Sequence, residues 1–349
     1  MELTQTTTLS VRAPGARLHV ERTGRRGEAL LAITGFGCGS HLFGPVLPLF
    51  SDRFDCITYD NRAAGRSSTP LLPTSMPELA NDAVRVLDAL GVDAAHVHGV
   101  SMGGMIAQEM ALRYPDRVRS LVLQGTTPGG PRSTGPAVDT LLALAAQRAP
   151  LSRERKIKML THQLFSDAYA AAHPDEVLDH LSRLGADRAG VRGALLHLTA
   201  STVHDTVSRL RSVQAPTLVL HGELDRMVSV GNARLLAERI PRARLAVVDG
   251  AGRPAPARAA PARAGADPGL DGRARTTAPR SPAPAGGRGR RAVDPSVRTA
   301  GRSRADLGQL VAPGPAVPAR RPAAALTAHS RARHGPRAVG GPTGTLDSA

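Results

Sequence analysis

Six short, mostly apolar runs bounded by turn-forming residues recur along the chain: Leu30–Ile33, Phe54–Tyr59, Ala95–Val100, Ser120–Leu123, Thr217–His221 and Leu245–Val248. Runs of this length and flanking read as buried strands. Helical patterns lie between several of them. Ser75-Met76-Pro77-Glu78 is a capping box, in which the Ser oxygen and the Glu carboxylate satisfy free amides. Leu79, Ala83, Val86, Leu87 and Leu90 then form one apolar stripe, and Gly91 ends the helix. Met102–Tyr114 reads as a second helix, stopped by Pro115. Such alternation predicts a mostly parallel sheet with helices on both faces. The earliest strands, within Leu9–Val20, are expected to form an antiparallel hairpin.

Between Pro128 and Leu210 the strand signal stops. Leu141–Ala146, Lys156–Phe165, Glu176–Leu184 and Val191–Leu198 read as helices with Pro and Gly at the joints. An all-helical insertion between two strands is expected to sit as a lid over the strand ends and shape a substrate pocket. The organisation expected is therefore 1–128, the first part of an α/β core; 129–210, the helical lid; 211–251, the second part of the core; and 252–349, a tail.

The tail is a different text. The chain has 349 residues and a net charge of +16, but residues 252–349 hold 17 Arg and 5 Asp with no Lys or Glu, so most of the excess lies there. The tail also holds half of the prolines and no Phe, Tyr, Ile, Met, Asn or Cys. Such a segment cannot bury enough apolar surface to offset its ordering entropy, so it is expected to be disordered. Ala, Pro, Gly and Arg are also what GC-rich codons give when read out of frame. A genuine basic tail binding nucleic acid or an acidic partner is the competing reading. It is disfavoured by the absence of Lys clusters, stacking aromatics and repeats. No apolar run approaches a membrane span, Met1–Ser10 is polar, and Cys38 and Cys56 cannot make a disulfide framework or a zinc site alone. A cytoplasmic protein is expected, with no membrane partner.

Three stretches carry chemistry. Gly99-Val100-Ser101-Met102-Gly103 joins an expected strand to an expected helix, the setting in which G-x-S-x-G is a nucleophile elbow. Ser101 is then the candidate nucleophile, projecting at the positive end of the helix. The bland alternative is a serine in a tight turn. Thr34-Gly35-Phe36-Gly37 follows the strand Leu30–Ile33 and can aim the Phe36 backbone N–H at the same point. With the N–H of Met102 it would make an oxyanion hole. Asp225, beyond the strand Thr217–His221, can orient a histidine and stabilise its imidazolium; Glu223 is nearby and expected to be solvated.

Together with Tyr59-Asp60-Asn61-Arg62-Ala63-Ala64-Gly65-Arg66-Ser67, Tyr114-Pro115-Asp116-Arg117-Val118, Pro216–Asp225 and Asp249-Gly250-Ala251-Gly252, these stretches resemble the α/β-hydrolase superfamily, in its lidded group of esterases, lactonases and cofactor-free haloperoxidase-like proteins. The resemblance covers residues 10–251. The family usually has His where Thr34 stands and Gly where Ala63 stands. It implies serine attack on a carbonyl, with a histidine as general base and no metal or organic cofactor. That histidine belongs in a Gly-His step after the last strand, where this chain has Gly252-Arg253. Arginine stays protonated and cannot act as a base. Gly252-Arg253 can be written GGC CGA. Removing the G inside CGA before a C gives GGC CAC, Gly-His, and the shifted frame permits the His-x-x-x-x-Glu-x-Pro pattern familiar in the family. A one-base insertion near codon 253 is the expectation.

The other histidines have plainer readings. His96 and His98 alternate on the elbow strand and are expected to be packed structure; His221 shapes a loop; His41 could line the pocket; His329 and His334 lie in the tail. Cys38 is expected to pack rather than react. The function expected is a serine hydrolase acting on a small-molecule acyl substrate, an ester, lactone or relative, through an acyl-enzyme. It is impaired as written. A non-catalytic pseudoenzyme that binds a small molecule or a partner is the rival.

Overall fold

The computed structural model describes residues 6–24, 27–136, 140, 150–185, 189–252 and 274–275. The chain divides into two units, Met1–Gly289 and Arg290–Ala349, and every described residue lies in the first. The expected helix Leu141–Ala146 lies outside the described residues, as does the expected disorder of the tail apart from Ala274 and Arg275.

The hairpin expected near the start is β1 (Thr6–Ala13) and β2 (Ala16–Thr23), antiparallel, with Leu9 opposite Val20 and Val11 opposite Leu18. Gly15, at φ 68°, lets the chain reverse between them. The strands that follow are β3 (Glu28–Ile33), β4 (Phe54–Tyr59), β5 (Ala95–Val100), β6 (Val118–Gln124), β7 (Thr217–Gly222) and β8 (Ala243–Val248). The sheet order is β1-β2-β4-β3-β5-β6-β7-β8, parallel from β4 onward. A two-residue strand β9 (Ala274–Arg275) pairs antiparallel with Val247 and Val248 at the β8 edge.

The chain steps outward from β3 to β4, then returns past β3 to β5. The strand order thus reverses between β3 and β5. In open parallel sheets this opens a crevice at the carboxyl ends, and ligands bind there. The loops after β3 and β5 are the two singled out from sequence.

Helix α1 (Met76–Ala89) and helix α2 (Met102–Arg113) pack together on the sheet. Their apolar stripes supply Leu79, Ala83, Val86 and Leu87 from α1 and Ile106 and Met110 from α2, all fully buried beside Leu31, Ile33, Val97 and Leu121. Each of these side chains larger than alanine contributes about 1.5–3 kcal/mol by leaving water. The expected capping box forms only in part. The Ser75 hydroxyl accepts from the Glu78 N–H at 3.3 Å, but the Glu78 carboxylate turns away to meet Arg62 at 3.0 Å. A guanidinium partner outweighs a single backbone amide for an ionised carboxylate.

Between β6 and β7 the described chain is helical: α3 (Arg153–Leu164), α4 (Asp167–Ala172), α5 (Pro174–Gly185) and α6 (Val191–Thr202). Helix α4 falls between the expected helices and has no sequence signal, being about one and a half turns with no apolar stripe. Leu160, Leu164, Phe165, Val177 and Leu181 give this segment a small core of its own. Helix α7 (Val230–Arg239) follows β7 and buries Ala233 and Leu236. No helix among the described residues is long and apolar enough to cross a membrane.

One buried charge cluster sets a pH dependence. Glu109 of α2, 2% exposed, accepts two hydrogen bonds from Arg209, and His204 Nδ1 lies 3.9 Å from its carboxylate. Burial lowers the His204 pKa to about 4, against the pull of Glu109. The folded state therefore holds a neutral imidazole while the unfolded chain protonates near the ordinary value of 6.5. The stability due to this burial is complete above about pH 6.5 and is lost progressively as pH falls toward 4, by up to about 3 kcal/mol. Urea denaturation across this range should show His204→Gln with a distinctly flatter pH profile than the parent. Identical slopes would remove His204 from the account.

Candidate active site

Ser101 stands alone between the last residue of β5 and the first of α2. Its backbone is at φ 58° and ψ −120°. Only Ala63 shares a positive φ among the described non-glycine residues. Such a conformation costs on the order of 1–3 kcal/mol and persists only where its surroundings enforce it. Here they do. The Ser101 N–H donates to the Gln124 carbonyl at 2.9 Å, and the Ser101 carbonyl accepts from the Thr126 hydroxyl at 2.7 Å and the Gly104 N–H at 2.9 Å.

The glycines explain the sharpness of the turn. A Cβ on Gly99 would strike the Gly103 carbonyl, and one on Gly103 would strike the Ile33 and Thr34 carbonyls. One on Gly104 would lie 2.6 Å from the Thr126 side chain. The first turn of α2 is thus pressed onto the end of β3, which places the loop after β3 against Ser101. A Cβ on Gly35 would be 3.2 Å from Ser101 Cβ and 3.6 Å from its Oγ. The structure therefore brings together Ser101, Met102 and the Gly35–Phe36 loop.

That loop is a tight turn. The Cys38 N–H donates to the Gly35 carbonyl at 3.4 Å, and Gly37 sits at φ 65°. The buried Thr34 hydroxyl closes it by donating to the Cys38 carbonyl at 3.0 Å, so threonine serves the local geometry where the family usually has histidine. Cys38 is buried, its thiol 3.1 Å from the Phe36 carbonyl, in the packing role expected of it. Burial, with the Asp55 carboxylate nearby, pushes the Cys56 thiol up to about 12.

Beyond β7, Asp225 is 8% exposed. Its Oδ1 accepts from the N–H groups of Met227 and Val228, both at 2.9 Å, and its Oδ2 lies 3.5 Å from His221 Nε2. His221 also meets the Val228 carbonyl at 2.8 Å, so it shapes this loop, as expected. Glu223 is exposed and accepts from the Gly250 N–H at 3.0 Å. The chain leaving β8 passes beside the Asp225 loop: the Leu224 N–H donates to the Ala251 carbonyl at 2.8 Å. A Cβ on Gly222 would collide with the Gly252 carbonyl, and one on Gly252 would lie 2.7 Å from the Ser166 N. Residue 252 is thereby threaded between the end of β7 and the α3–α4 junction. Arg253, where the family's histidine belongs, lies outside the described residues.

The histidines of the core are engaged elsewhere. His96 bonds Ser120 at 2.7 Å and Glu28 at 3.0 Å, and His98 bonds Gln124 at 2.7 Å, so both are packed structure as expected. His41 meets the Arg183 carbonyl at 2.7 Å, between the loop after β3 and α5.

Sequence reasoning missed the support beneath the loops. Asp60, fully buried, accepts from the Ser40 N–H at 2.6 Å and the Arg66 N–H at 2.7 Å. Burial pushes its carboxyl up, but these amides together with Ser40 and Arg66 side chains bring it below the usual range. Arg62 is 4% exposed and meets buried Asp82 of α1 through a bidentate fork at 2.6 and 2.7 Å. Ala63, next in the chain, has φ 68°, which accounts for glycine being the usual residue there. The acidic partners are scattered over α1 and β2, so only the Asp60-Asn61-Arg62 stretch was legible.

A strained serine between strand and helix, at the point where a parallel sheet reverses its order and beside a glycine turn, is the arrangement of an α/β hydrolase. The chain belongs to that family: the model described as alpha/beta hydrolase fold matches residues 28–256. A poly(3-hydroxyalkanoate) depolymerase from Ectopseudomonas oleovorans is 33% identical over 221 residues, 63% of this chain and 76% of the relative. A 3-oxoadipate enol-lactonase from Acinetobacter baylyi is 25% identical over 223 residues, 63% and 80% of the two chains. Among solved structures, a hydrolase from Pseudomonas aeruginosa superposes with a TM-score of 0.60 at 27% identity, covering 72% of this chain and 92% of that one.

Proposed function

We propose that this chain is built as a serine hydrolase for a small carboxylic ester, lactone or related acyl substrate, and that as written it is impaired. The observation that carries the reading is the enforced backbone of Ser101, with φ 58° at the N-terminal end of α2 and the Gly35 loop in contact with it. A strained nucleophile held against a turn of backbone amides serves acyl transfer. The Ser101 Oγ attacks the carbonyl carbon, and the developing oxyanion is met by the N–H groups of Phe36 and Met102. Asp225 would orient an imidazole at position 253, where arginine stands instead. The helices between β6 and β7 serve as the lid. The names of the hydrolase relatives, a polyester depolymerase and an enol-lactonase, support the ester and lactone class.

Without its base the chain retains a serine and an oxyanion hole, and the hole with substrate binding still gives roughly 10³-fold over water in serine hydrolases. Slow hydrolysis of p-nitrophenyl acetate above the solvent background is the expected result, with acetyl-Ser101 trapped by mass spectrometry. Ser101→Ala should leave no acetylated peptide, while the part of the rate that comes from the oxyanion hole alone persists. Acetylation confined to residues other than Ser101 would overturn the assignment. Tight, saturable binding of esters with no acylation would favour a pseudoenzyme, a reading that Arg253 supports.

A further inference from the structure

His197 of α6 is fully buried and lies in neither the nucleophile elbow nor the Asp225 loop. Its Nδ1 accepts from the Gly37 N–H at 3.1 Å, and its Nε2 lies 2.8 Å from the Arg62 carbonyl. An amide N–H can only donate and a carbonyl can only accept. Both contacts together fix the tautomer: the proton is on Nε2, and the ring is neutral. Burial favours the same form, lowering the His197 pKa. The guanidinium of Arg62, whose carbonyl His197 meets, is itself committed to Asp82 and Glu78.

Gly37 is gripped twice from this segment. Besides His197 on its N–H, its carbonyl accepts from the Ala189 N–H at 3.1 Å. The Phe36 ring also packs edge-on against His197, with centroids 6.0 Å apart. Gly37 occupies the third position of the Gly35–Cys38 turn at φ 65°, the type II arrangement, in which the central Phe36–Gly37 peptide can rotate to type I. The two ends of that peptide are both held: its N–H by His197 and its carbonyl by the Cys38 thiol. Helix α6 is seated firmly enough to do this, since its Gly193 lies so close to the Ala63 carbonyl that a Cβ there would collide with it.

We propose that His197 is a positioning residue: the helical segment between β6 and β7 locks the turn after β3 through His197, and so sets the direction of the Phe36 N–H toward Ser101. The inference rests on Phe36 being an oxyanion donor, and it makes the seating of α6 a condition for the hole to exist. Because the Gly37 N–H is spent on the imidazole, the donor left to face the serine is that of Phe36.

The test uses the full chain and two amides that mimic the imidazole one nitrogen at a time. In His197→Asn the amide oxygen stands where Nδ1 stood and can still accept from Gly37. In His197→Gln the amide nitrogen stands where Nε2 stood and can reach only Arg62. Both remove the same ring, so both carry a similar packing loss. Amide hydrogen exchange at Gly37, read by ¹⁵N NMR, should accelerate about 10-fold in His197→Gln and stay near the parent in His197→Asn. Acylation of Ser101 by p-nitrophenyl acetate should follow the same order, in the acylation rate constant rather than in KM. Equal Gly37 exchange in Gln and Asn variants, or equal exchange in both and the parent, would overturn the proposal. If the frame-restored protein shows no Ser101 acylation, the hydrolase reading fails, while the exchange comparison still decides whether His197 locks the turn.

Discussion

Restoring the reading frame downstream of residue 252 is expected to raise ester hydrolysis roughly 10³-fold or more, while Arg253→His alone recovers little of it. On the proposed reading, arginine at 253 stands in place of the base, and a point change returns an imidazole. The imidazole must still be aimed. Gly252 is fixed by its close approaches to Gly222 and Ser166, so residue 253 starts from a defined place, but the loop after it has to turn the ring between Asp225 and Ser101. In this fold a final helix follows that loop and covers one face of the sheet, and a stretch of Ala, Pro, Gly and Arg offers no amphipathic stripe for one. The β8 strand agrees: none of its residues is fully buried, although Leu245, Ala246, Val247 and Val248 read as an interior run. The measurement is a rate assay on the present chain, Arg253→His and the frame-restored protein, with Ser101→Ala in the restored frame as control. If Arg253→His equals the restored protein, the downstream helix is dispensable. If the present chain already equals it, another group serves as base. Nucleotide sequence around codon 253 with no Gly-His reading in the alternative frame would sink the frameshift itself.

The scaffold was legible because its signals are local. A buried parallel strand is a short apolar run, a helix is a 3.6-residue stripe, and an elbow is five consecutive residues. Ser101 and Asp225 could be named from such windows, since each sits where a strand ends. His197 could not. It contacts Gly37 and Arg62, 160 and 135 residues away in the chain, and nothing in Val191–Thr202 marks one buried histidine as a hydrogen-bond acceptor for a distant turn. The same holds for Asp82, which reads as a polar interruption of the α1 stripe until Arg62 is found folded onto it. The capping box shows the reverse error. Ser75 and Glu78 have the right spacing, but a guanidinium from a distant loop claims the carboxylate.

Gly103→Ala should be severely damaging, costing on the order of 3 kcal/mol or more of stability and abolishing Ser101 acylation. Adding a methyl is ordinarily mild, so the expectation rests wholly on what the Cβ would meet. At 103 it would overlap the Ile33 carbonyl and lie 2.6 Å from the Thr34 carbonyl, two backbone atoms that cannot rotate aside. Relief requires α2 to lift from the end of β3, and that gap is the one that keeps the Gly35 loop on Ser101. Two other glycines separate this cause from a general intolerance. Gly91 ends α1 at φ 67° with nothing within 4 Å of its Cβ position, so Gly91→Ala should cost only the left-handed backbone penalty, about 1 kcal/mol. Gly135 has open space and no such φ, so Gly135→Ala should be neutral or slightly stabilising through the unfolded chain. Chemical denaturation of the three variants should rank them in that order. A Gly103→Ala protein as stable as Gly135→Ala would mean that α2 can withdraw from β3 at no cost. The contact between the Gly35 loop and Ser101 would then be incidental to the fold rather than built into it.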